Sequence, residues 1–226
     1  CEDFTATGKP IAASESERWL LCQLANVTEQ TQQHIADYRF DLASTALYEF
    51  TWNTYCDWFL EFAKPALAGD DALAAISMRH TLLFALEATL RLLHPLMPFI
   101  TEEIWQTIAP KLGITGNSIS TQAFPEVADF SNTDSSAVAN IEWLKALVAS
   151  IRSIRSEMGI SPAKSIPLLW QSANADDKAR LNKLESSLKF LAKIESITEL
   201  SGEAPASATA LIGELQIFIP LVGLID

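Results

Sequence analysis

Residues 41–64 read DLASTALYEFTWNTYCDWFLEFAK and contain seven aromatic side chains. At helical spacing the apolar residues of this stretch form two stripes. They are Ala43, Leu47 and Phe50 on one side and Tyr48, Trp52, Tyr55, Phe59 and Phe62 on the other. A helix that is apolar on two faces is typical of the buried centre of a helical bundle. The stretch therefore predicts a mainly α fold.

Three further helices are predicted around this one. Ser14 and the carboxylates after it are typical of a helix start, so a first helix precedes the aromatic stretch. Pro65 and the sequence Gly-Asp-Asp at 69–71 predict a break before a third helix, which ends at His94-Pro95. Pro98 suits the first turn of a fourth helix. Its predicted apolar stripe consists of Ile100, Ile104 and Ile108.

The second half of the chain predicts a different architecture. A connector from Pro110 to Asn140, with a short strand at Ser118–Thr121, separates the two parts. The elements predicted after it are a helix near 139–158, a strand at Ile166–Gln171 that Pro167 places at a sheet edge, a helix capped by Asn174, and strands at Ile197–Leu200 and Glu214–Leu221. The fold class is therefore a mainly α chain, with a helical bundle over residues 1–138 and a small α+β domain over residues 139–226.

Composition and charge exclude several classes of protein. The 226 residues are 49% hydrophobic and 19% charged, which is a globular composition. Charged residues interrupt every apolar stretch, so the sequence predicts neither a membrane span nor a membrane partner. Three cysteines at positions 1, 22 and 56 match no zinc spacing and indicate reduced thiols in a cytoplasmic protein.

The charge is unevenly distributed along the chain. The net charge is −12, but residues 1–138 hold 7 Lys and Arg against 18 Asp and Glu, while residues 139–226 hold 9 against 10. The two parts thus carry −11 and −1. A nucleic-acid surface is easier to place in the second part, where cations and anions are nearly equal in number, or in a local patch.

No catalytic or metal centre is predicted. The eight glycines form no phosphate-binding loop, and His34, His80 and His94 have no partner at metal-ligand spacing. Glu102 and Glu103 lie in the first turn of a predicted helix, where compensation of the helix dipole explains them as well as general acid chemistry does. The expected site residues are therefore neither catalytic nor metal ligands, and the chain is expected to need no cofactor.

Three stretches together carry a family resemblance. They are YEFTWNTYCDWFLEFAKP at 48–65, HPLMPFITEEIW at 94–105 and ASIRSIRSEMGISPAK at 149–164. The second resembles a run shared by the anticodon-binding helical domains of the class I aminoacyl-tRNA synthetases for valine, isoleucine and leucine. The first, preceded by DYRFD at 37–41, resembles the bacterial valine–tRNA ligases (valyl-tRNA synthetases) in particular.

The resemblance implies an anticodon-side role in binding tRNA(Val), not DNA, within a cytoplasmic, monomeric enzyme of translation. That parent enzyme would ligate valine to tRNA(Val) using ATP and Mg²⁺. Its two ATP-site signatures are absent from this sequence, and the chain is expected to be a piece of a longer polypeptide that continues into a C-terminal coiled coil. Two alternatives stay open: the same region of an isoleucine or leucine enzyme, and a stand-alone acidic helical module that binds proteins.

The candidate RNA contacts are cations at helical spacing in the second part. Lys145, Arg152 and Arg155 fall on one flank of a predicted helix, and Lys164 follows after a turn. Point charges of this kind can contact phosphates, or they can form a solvated helix flank that pairs with Glu142 or with the excess acid of the bundle. Arg18 and Arg39 are further candidates from the bundle, although surface ion pairs explain both. Trp52 and Trp58 are predicted to be core residues, whereas Trp19 and Trp105 are left open.

Overall fold

The computed structural model describes residues 4–130 and 134–221. The chain divides into two compact units, one up to Val138 and one from Ala139 onward. The first is helical and the second combines helices with a four-stranded sheet. The fold is therefore mainly α with a small α+β part, as the sequence predicted.

Helix α1, Glu15–Ala36, begins where its capping residue predicted. The Ser14 side chain accepts a hydrogen bond from the Glu17 backbone N–H, and the Glu17 carboxylate accepts one from the Ser14 backbone N–H at 2.8 Å. This reciprocal pair is a capping box, which satisfies two backbone donors that the helix itself leaves open. The inner face of α1 buries Trp19, Leu20 and Leu24.

The aromatic stretch forms one long helical segment made of three parts. Helix α2, Phe40–Glu49, continues into a π-helical segment, Phe50–Phe59, and then into α3, Leu60–Ala68. The predicted break at Pro65 is wrong, because this proline lies inside α3 and the segment ends only before Gly69. The predicted break at residues 69–71 is confirmed, since α4 starts immediately after it.

The long segment buries one stripe of side chains, not two. The buried residues are Ala43, Leu47, Phe50, Tyr55, Phe59, Phe62 and Ala63. Hydrogen bonds in a π-helix span five residues instead of four, so the step from Phe50 to Tyr55 keeps both side chains on one face. Tyr48 and Trp52 are consequently 65% and 57% exposed, and the prediction that Trp52 is a core residue is wrong.

Helix α4, Ala72–Leu93, is held to its neighbours by two buried carboxylates. Glu17 accepts hydrogen bonds from Ser77 Oγ at 2.6 Å and Thr81 Oγ1 at 2.9 Å, so it joins α1 to α4. Glu87, within α4, accepts from Arg91 and from Trp105 Nε1 at 2.9 Å. A buried carboxylate is tolerated only when donors surround it in this way.

Helix α4 also corrects the expectation that no segment could span a membrane. The helix has 22 residues, and an 18-residue window of it has a mean hydropathy of 1.2, so it could cross a bilayer by length and composition alone. Two thirds of that stretch is buried inside the protein (67%), as in the core helix of a bundle.

Helix α5, Pro98–Ile108, begins at Pro98 as predicted and buries Thr101 and Trp105. Trp105 packs in a small core with Leu90 of α4 and Ile119. The strand predicted at Ser118–Thr121 is wrong, because Ile119–Thr121 is a turn of 3-10 helix in which Ser118 Oγ accepts from the Ser120 N–H.

The second unit is built on helix α6 and a mixed sheet. Helix α6, Ser135–Glu157, is followed by β1, Ile166–Gln171; α7, Ala175–Lys183; α8, Glu185–Ala192; β2, Ile194–Glu199; β3, Ser207–Ile212; and β4, Leu215–Pro220. The strand order is β2-β1-β4-β3, with β1 parallel to β2 and the other pairs antiparallel.

Strand β1 occupies the residues predicted for it but not the predicted place in the sheet. It lies between β2 and β4, so the edge position inferred from Pro167 is wrong. The register to β2 shifts between Ile166 and Pro167, and this irregularity accommodates a residue that cannot donate a backbone hydrogen bond. Strand β3 was missed by the sequence analysis, and two helices stand where one was predicted.

Replacing Glu17 by alanine is expected to lower the free energy of unfolding of the first unit by about 2–3 kcal/mol. The change removes the capping box and leaves the buried Ser77 and Thr81 hydroxyls without their acceptor. Urea denaturation followed by circular dichroism measures it. Glu29→Ala, at an exposed position of α1, is the control and should change stability by less than about 0.5 kcal/mol. Equal urea midpoints for the two variants would contradict the role of Glu17.

Candidate nucleic-acid interface

Helix α6 and the turn after it carry four of the predicted RNA contacts. Lys145 and Arg152 are seven residues apart, which places them on the same side of the helix. Gly159 adopts a left-handed backbone with φ of 64°, which turns the chain at the end of α6. Lys164 lies in the following turn, where its backbone N–H donates to the Ser161 carbonyl at 3.1 Å.

Three of these cations reach the surface. Arg152 and Lys164 are exposed. Lys145 is half-buried and forms an ion pair with Glu142 at 3.0 Å. An ion pair that solvent can reach contributes little stability. The surface formed by Lys145, Arg152 and Lys164 is called the α6 cationic surface below.

Arg155 does not belong to that surface, because its side chain points into the second unit and is only 5% exposed. Its guanidinium donates to the Ser161 carbonyl at 2.9 Å, to the Ala192 carbonyl at 2.9 Å and to the Lys193 carbonyl at 3.0 Å. Burial lowers the pKa of this guanidinium. The predicted phosphate contact does not fit this position, since both terminal nitrogens already donate to backbone oxygens and the Nε is buried.

Arg18 is held within the first unit by ion pairs and backbone oxygens. Its Nε donates to Asp134 at 2.9 Å and its second terminal nitrogen to Glu15 at 3.2 Å. The remaining nitrogen donates to the carbonyls of Ala12 and Ala13. These contacts anchor the chain before α1 and are the ion-pair role that the sequence analysis weighed against RNA binding.

Arg39 is more accessible than Arg18 but is also paired. It makes a two-pronged contact with Asp41, at 2.7 and 2.9 Å, in the turn between α1 and α2. The Arg39 guanidinium lowers the pKa of the Asp41 carboxyl to about 2. Both side chains are more than half exposed, so Arg39 stays at the surface with its charge balanced.

Exposed aromatic side chains lie near Arg39, and the sequence analysis missed them as surface residues. Tyr38, which has a positive φ of 57°, is 82% exposed and Phe40 is 50% exposed. Tyr48 and Trp52 follow on the long helical segment. Conversely, Trp19 and Trp105 are fully buried. Trp52 is therefore the tryptophan best placed for stacking on a base. The exposure of Tyr38 could not be predicted, because a tyrosine in the sequence does not indicate a positive φ.

A polar cleft of about 270 Å³ lies between α1 and the long helical segment. Its polar lining includes the amides of Gln23, Asn26, Gln30 and Asn53 and the carboxylate of Glu49. Asn53 belongs to the π-helical segment, and π-helical turns inside α-helices are frequent at functional sites. Amide and carboxylate side chains are among the groups that read the edges of bases by hydrogen bonding.

Among residues 4–130 and 134–221, no group of three or more His, Cys, Asp or Glu is arranged to hold a metal ion. Cys22 is buried and Cys56 half-buried, and both are in the thiol form. Cys1 lies outside the described residues.

Exposed amides and aromatic rings on helices, and a cationic surface on α6, are features that nucleic-acid-binding proteins use. The family model described as the anticodon-binding domain of tRNA ligase matches residues 17–169, and the chain belongs to that family.

Individual relatives show which tRNA ligases the chain is similar to. The chain is 52% identical over 223 residues to a valine–tRNA ligase of Xanthomonas axonopodis pv. citri (strain 306), covering 97% of this chain and 24% of that protein. It is 49% identical over 227 residues to a valine–tRNA ligase of Stenotrophomonas maltophilia (strain R551-3), with 100% and 24% covered. The chain thus spans about a quarter of the length of these relatives.

Replacing Arg155 by methionine is expected to destabilise the second unit by about 2–3 kcal/mol, because three carbonyl oxygens lose a charged donor. Arg152→Met is the matched control: it removes an equal charge from the exposed side of the same helix and should cost less than about 0.5 kcal/mol. Thermal denaturation of both variants measures the difference. If Arg152→Met were as destabilising as Arg155→Met, the assignment of Arg155 as the structural arginine would be wrong.

Proposed function

We propose that this chain is the anticodon-side, tRNA-binding part of a valine–tRNA ligase. The observation that carries the proposal is identity of about half over nearly the whole chain to proteins named valine–tRNA ligase, together with membership of the anticodon-binding family. The relatives quoted favour the valine enzyme over the isoleucine and leucine alternatives. Family membership also argues against a stand-alone protein-interaction module.

The proposed contribution of this part is binding and orientation, not bond making. In the whole enzyme, ATP with Mg²⁺ would activate valine in a region outside this chain, and the amino acid would pass to the end of tRNA(Val). Contacts on the anticodon side hold the tRNA so that its distant end reaches that site, which lowers the entropic cost of the reaction. The enzyme would act in the cytoplasm as a monomer.

We assign the phosphate contacts to the α6 cationic surface. Arg152 and Lys164 are exposed, and Lys145 lies beside them on the same side of α6, where it forms an ion pair with Glu142. The second unit is close to electrically neutral, so a phosphate approaching it meets little repulsion. Arg18 and Arg39 are weaker candidates, because carboxylates already balance both.

We assign base contacts to the first unit, where phosphates are disfavoured. Its net charge of −11 repels the RNA backbone, whereas bases are uncharged and can be read by amides or stacked on aromatic rings. The cleft with Gln23, Asn26, Gln30 and Asn53 supplies amides, and the neighbouring Trp52 supplies an exposed ring. Specificity for one tRNA would depend on this unit more than on α6.

Titration of the chain with tRNA(Val) and tRNA(Ile) tests the proposal. Binding of tRNA(Val) is expected to be tighter and to weaken as salt rises, with a log–log slope of about −2 if some three phosphates are neutralised. Fluorescence titration at two salt concentrations measures both quantities. The absence of binding to either tRNA at low salt, or equal affinity for the two, would count against a valine-specific RNA role.

Charge reversal tests the α6 cationic surface itself. The double variant Arg152→Glu/Lys164→Glu in the full-length ligase is expected to weaken tRNA(Val) binding about tenfold or more and to make the salt slope shallower by about 1.5. Its control is Lys178→Glu/Lys189→Glu, which reverses the same number of charges where each lysine is paired with a carboxylate.

The two double variants separate a local contact from a general charge effect. The control is expected to retain most of its tRNA affinity. Should both variants lose affinity equally, the effect would be one of net charge and the assignment of Arg152 and Lys164 would fail.

A further inference from the structure

The buried Arg155 guanidinium holds both ends of the turn that carries Lys164. Before Lys164, one terminal nitrogen donates to the Ser161 carbonyl at 2.9 Å, and the same carbonyl accepts the Lys164 backbone N–H at 3.1 Å. After Lys164, the other terminal nitrogen donates to the Lys193 carbonyl at 3.0 Å, which also accepts the backbone N–H of Ile166 at 3.1 Å. Lys164 thus lies between two backbone anchors that depend on one side chain.

Residues 161–166, called the Lys164 segment below, connect α6 to the start of β1. Arg152 is placed by the regular geometry of α6, whereas the position of Lys164 depends on the contacts that its turn makes with the rest of the second unit. Arg155 supplies hydrogen bonds on both sides of the turn, and Ile160, just before it, is buried. The position of Lys164 relative to α6 is therefore set by a side chain of α6 itself.

A guanidinium fits this buried position better than any other cation. The carbonyls of Ala192 and Lys193 lie at the end of α8, where helix carbonyls lack partners within the helix and carry the negative end of its dipole. Two separate terminal nitrogens let Arg155 reach these oxygens and the Ser161 carbonyl at once. A lysine ammonium is a single point on a flexible stem and cannot bridge the two groups in the same way.

We propose that Arg155 is a positioning residue for tRNA binding: it fixes the Lys164 segment and thereby holds the Lys164 ammonium in place for a phosphate of the RNA. A cation that is already held in place loses less conformational freedom when the phosphate arrives. This inference rests on the proposed function, since it takes Lys164 as a phosphate contact. It gives the arginine that does not reach the α6 cationic surface a role in binding all the same.

A double-mutant cycle in the full-length ligase tests the proposal. Arg155→Met, Lys164→Gln and the double variant are titrated with tRNA(Val) at several salt concentrations. Each single change is expected to weaken binding about fivefold and to make the salt slope shallower by about 1, the effect of losing one phosphate contact. The double variant is expected to lose no more than either single variant, because Arg155 acts through Lys164.

Arg180→Met is the matched control. Arg180 is another arginine of the second unit with a structural contact, since its Nε donates to Asn140 Oδ1 at 3.0 Å near the opposite end of α6. Its replacement removes the same charge and is expected to leave the salt slope unchanged. Arg155→Lys takes the place of Arg155→Met in the cycle if the methionine variant does not fold. It keeps the charge, so a shallower slope would come from the lost anchor alone.

Amide hydrogen exchange without tRNA measures the positioning separately. Peptides that cover the Lys164 segment are expected to exchange at least fivefold faster in Arg155→Met than in the wild type, and at the wild-type rate in Arg180→Met. Additive losses of affinity in the double variant, or an equal change of slope in Arg180→Met, would overturn the proposal.

The two measurements also separate this proposal from the proposed function. Unchanged exchange in Arg155→Met, with the expected loss of affinity in Lys164→Gln, would overturn the positioning role alone. A wild-type slope in Lys164→Gln would remove the phosphate contact of Lys164, and the positioning role would fall with it.

Discussion

The buried carboxylate of Glu17 is the interaction on which the arrangement of the helical unit depends. It closes the capping box of α1 and at the same time accepts the hydroxyls of Ser77 and Thr81 from α4. Because a buried charge without donors costs far more than a surface one, the start of α1 must remain beside α4. Glu87 repeats this arrangement further along α4, where Arg91 and the Trp105 indole surround it. Two carboxylates thus fix α1, α4 and α5, and with them the faces that α5 shows to the outside.

The fold was predictable from sequence where the controlling contacts are local. Ser14, Pro98 and Asn174 act within one turn of the helices they begin, and all three predicted starts are confirmed. Prediction failed where the backbone departs from regular helix or strand geometry and the residue types do not indicate the departure. The π-helical step between Phe50 and Tyr55 merges two apparent stripes into one and turns Trp52 to the surface. The sequence predicted Pro167 at a sheet edge. In the structure it lies between two strands, because a register shift that no residue pattern indicates accommodates it there.

The candidate site was likewise predictable only where local contacts determine it. Helical spacing groups Lys145, Arg152 and Arg155 on one flank of α6, but it does not show which of them meets another part of the chain. The carbonyls of Ala192 and Lys193, which hold Arg155, lie 37 and 38 positions away in sequence. Such a long-range contact decides between an arginine that binds backbone oxygens and one that is available to phosphates. Arg152 and Lys164 stay at the surface and remain the predicted RNA contacts.

An acidic protein can bind RNA when some of its cations form ion pairs within the fold and others lie at the surface. In the bundle, Asp134 and Glu15 balance Arg18 and Asp41 balances Arg39, so these arginines stabilise turns and add little attraction for phosphates. Interactions between exposed charges are screened over roughly 8 Å at physiological salt, so the charges nearest to a phosphate act on it most strongly. Phosphate attraction then depends on the local surface of α6, while the acidic unit is left with contacts that need no positive charge: amide hydrogen bonds and stacking. On the proposed function, this separation assigns affinity to one unit and the choice of tRNA to the other.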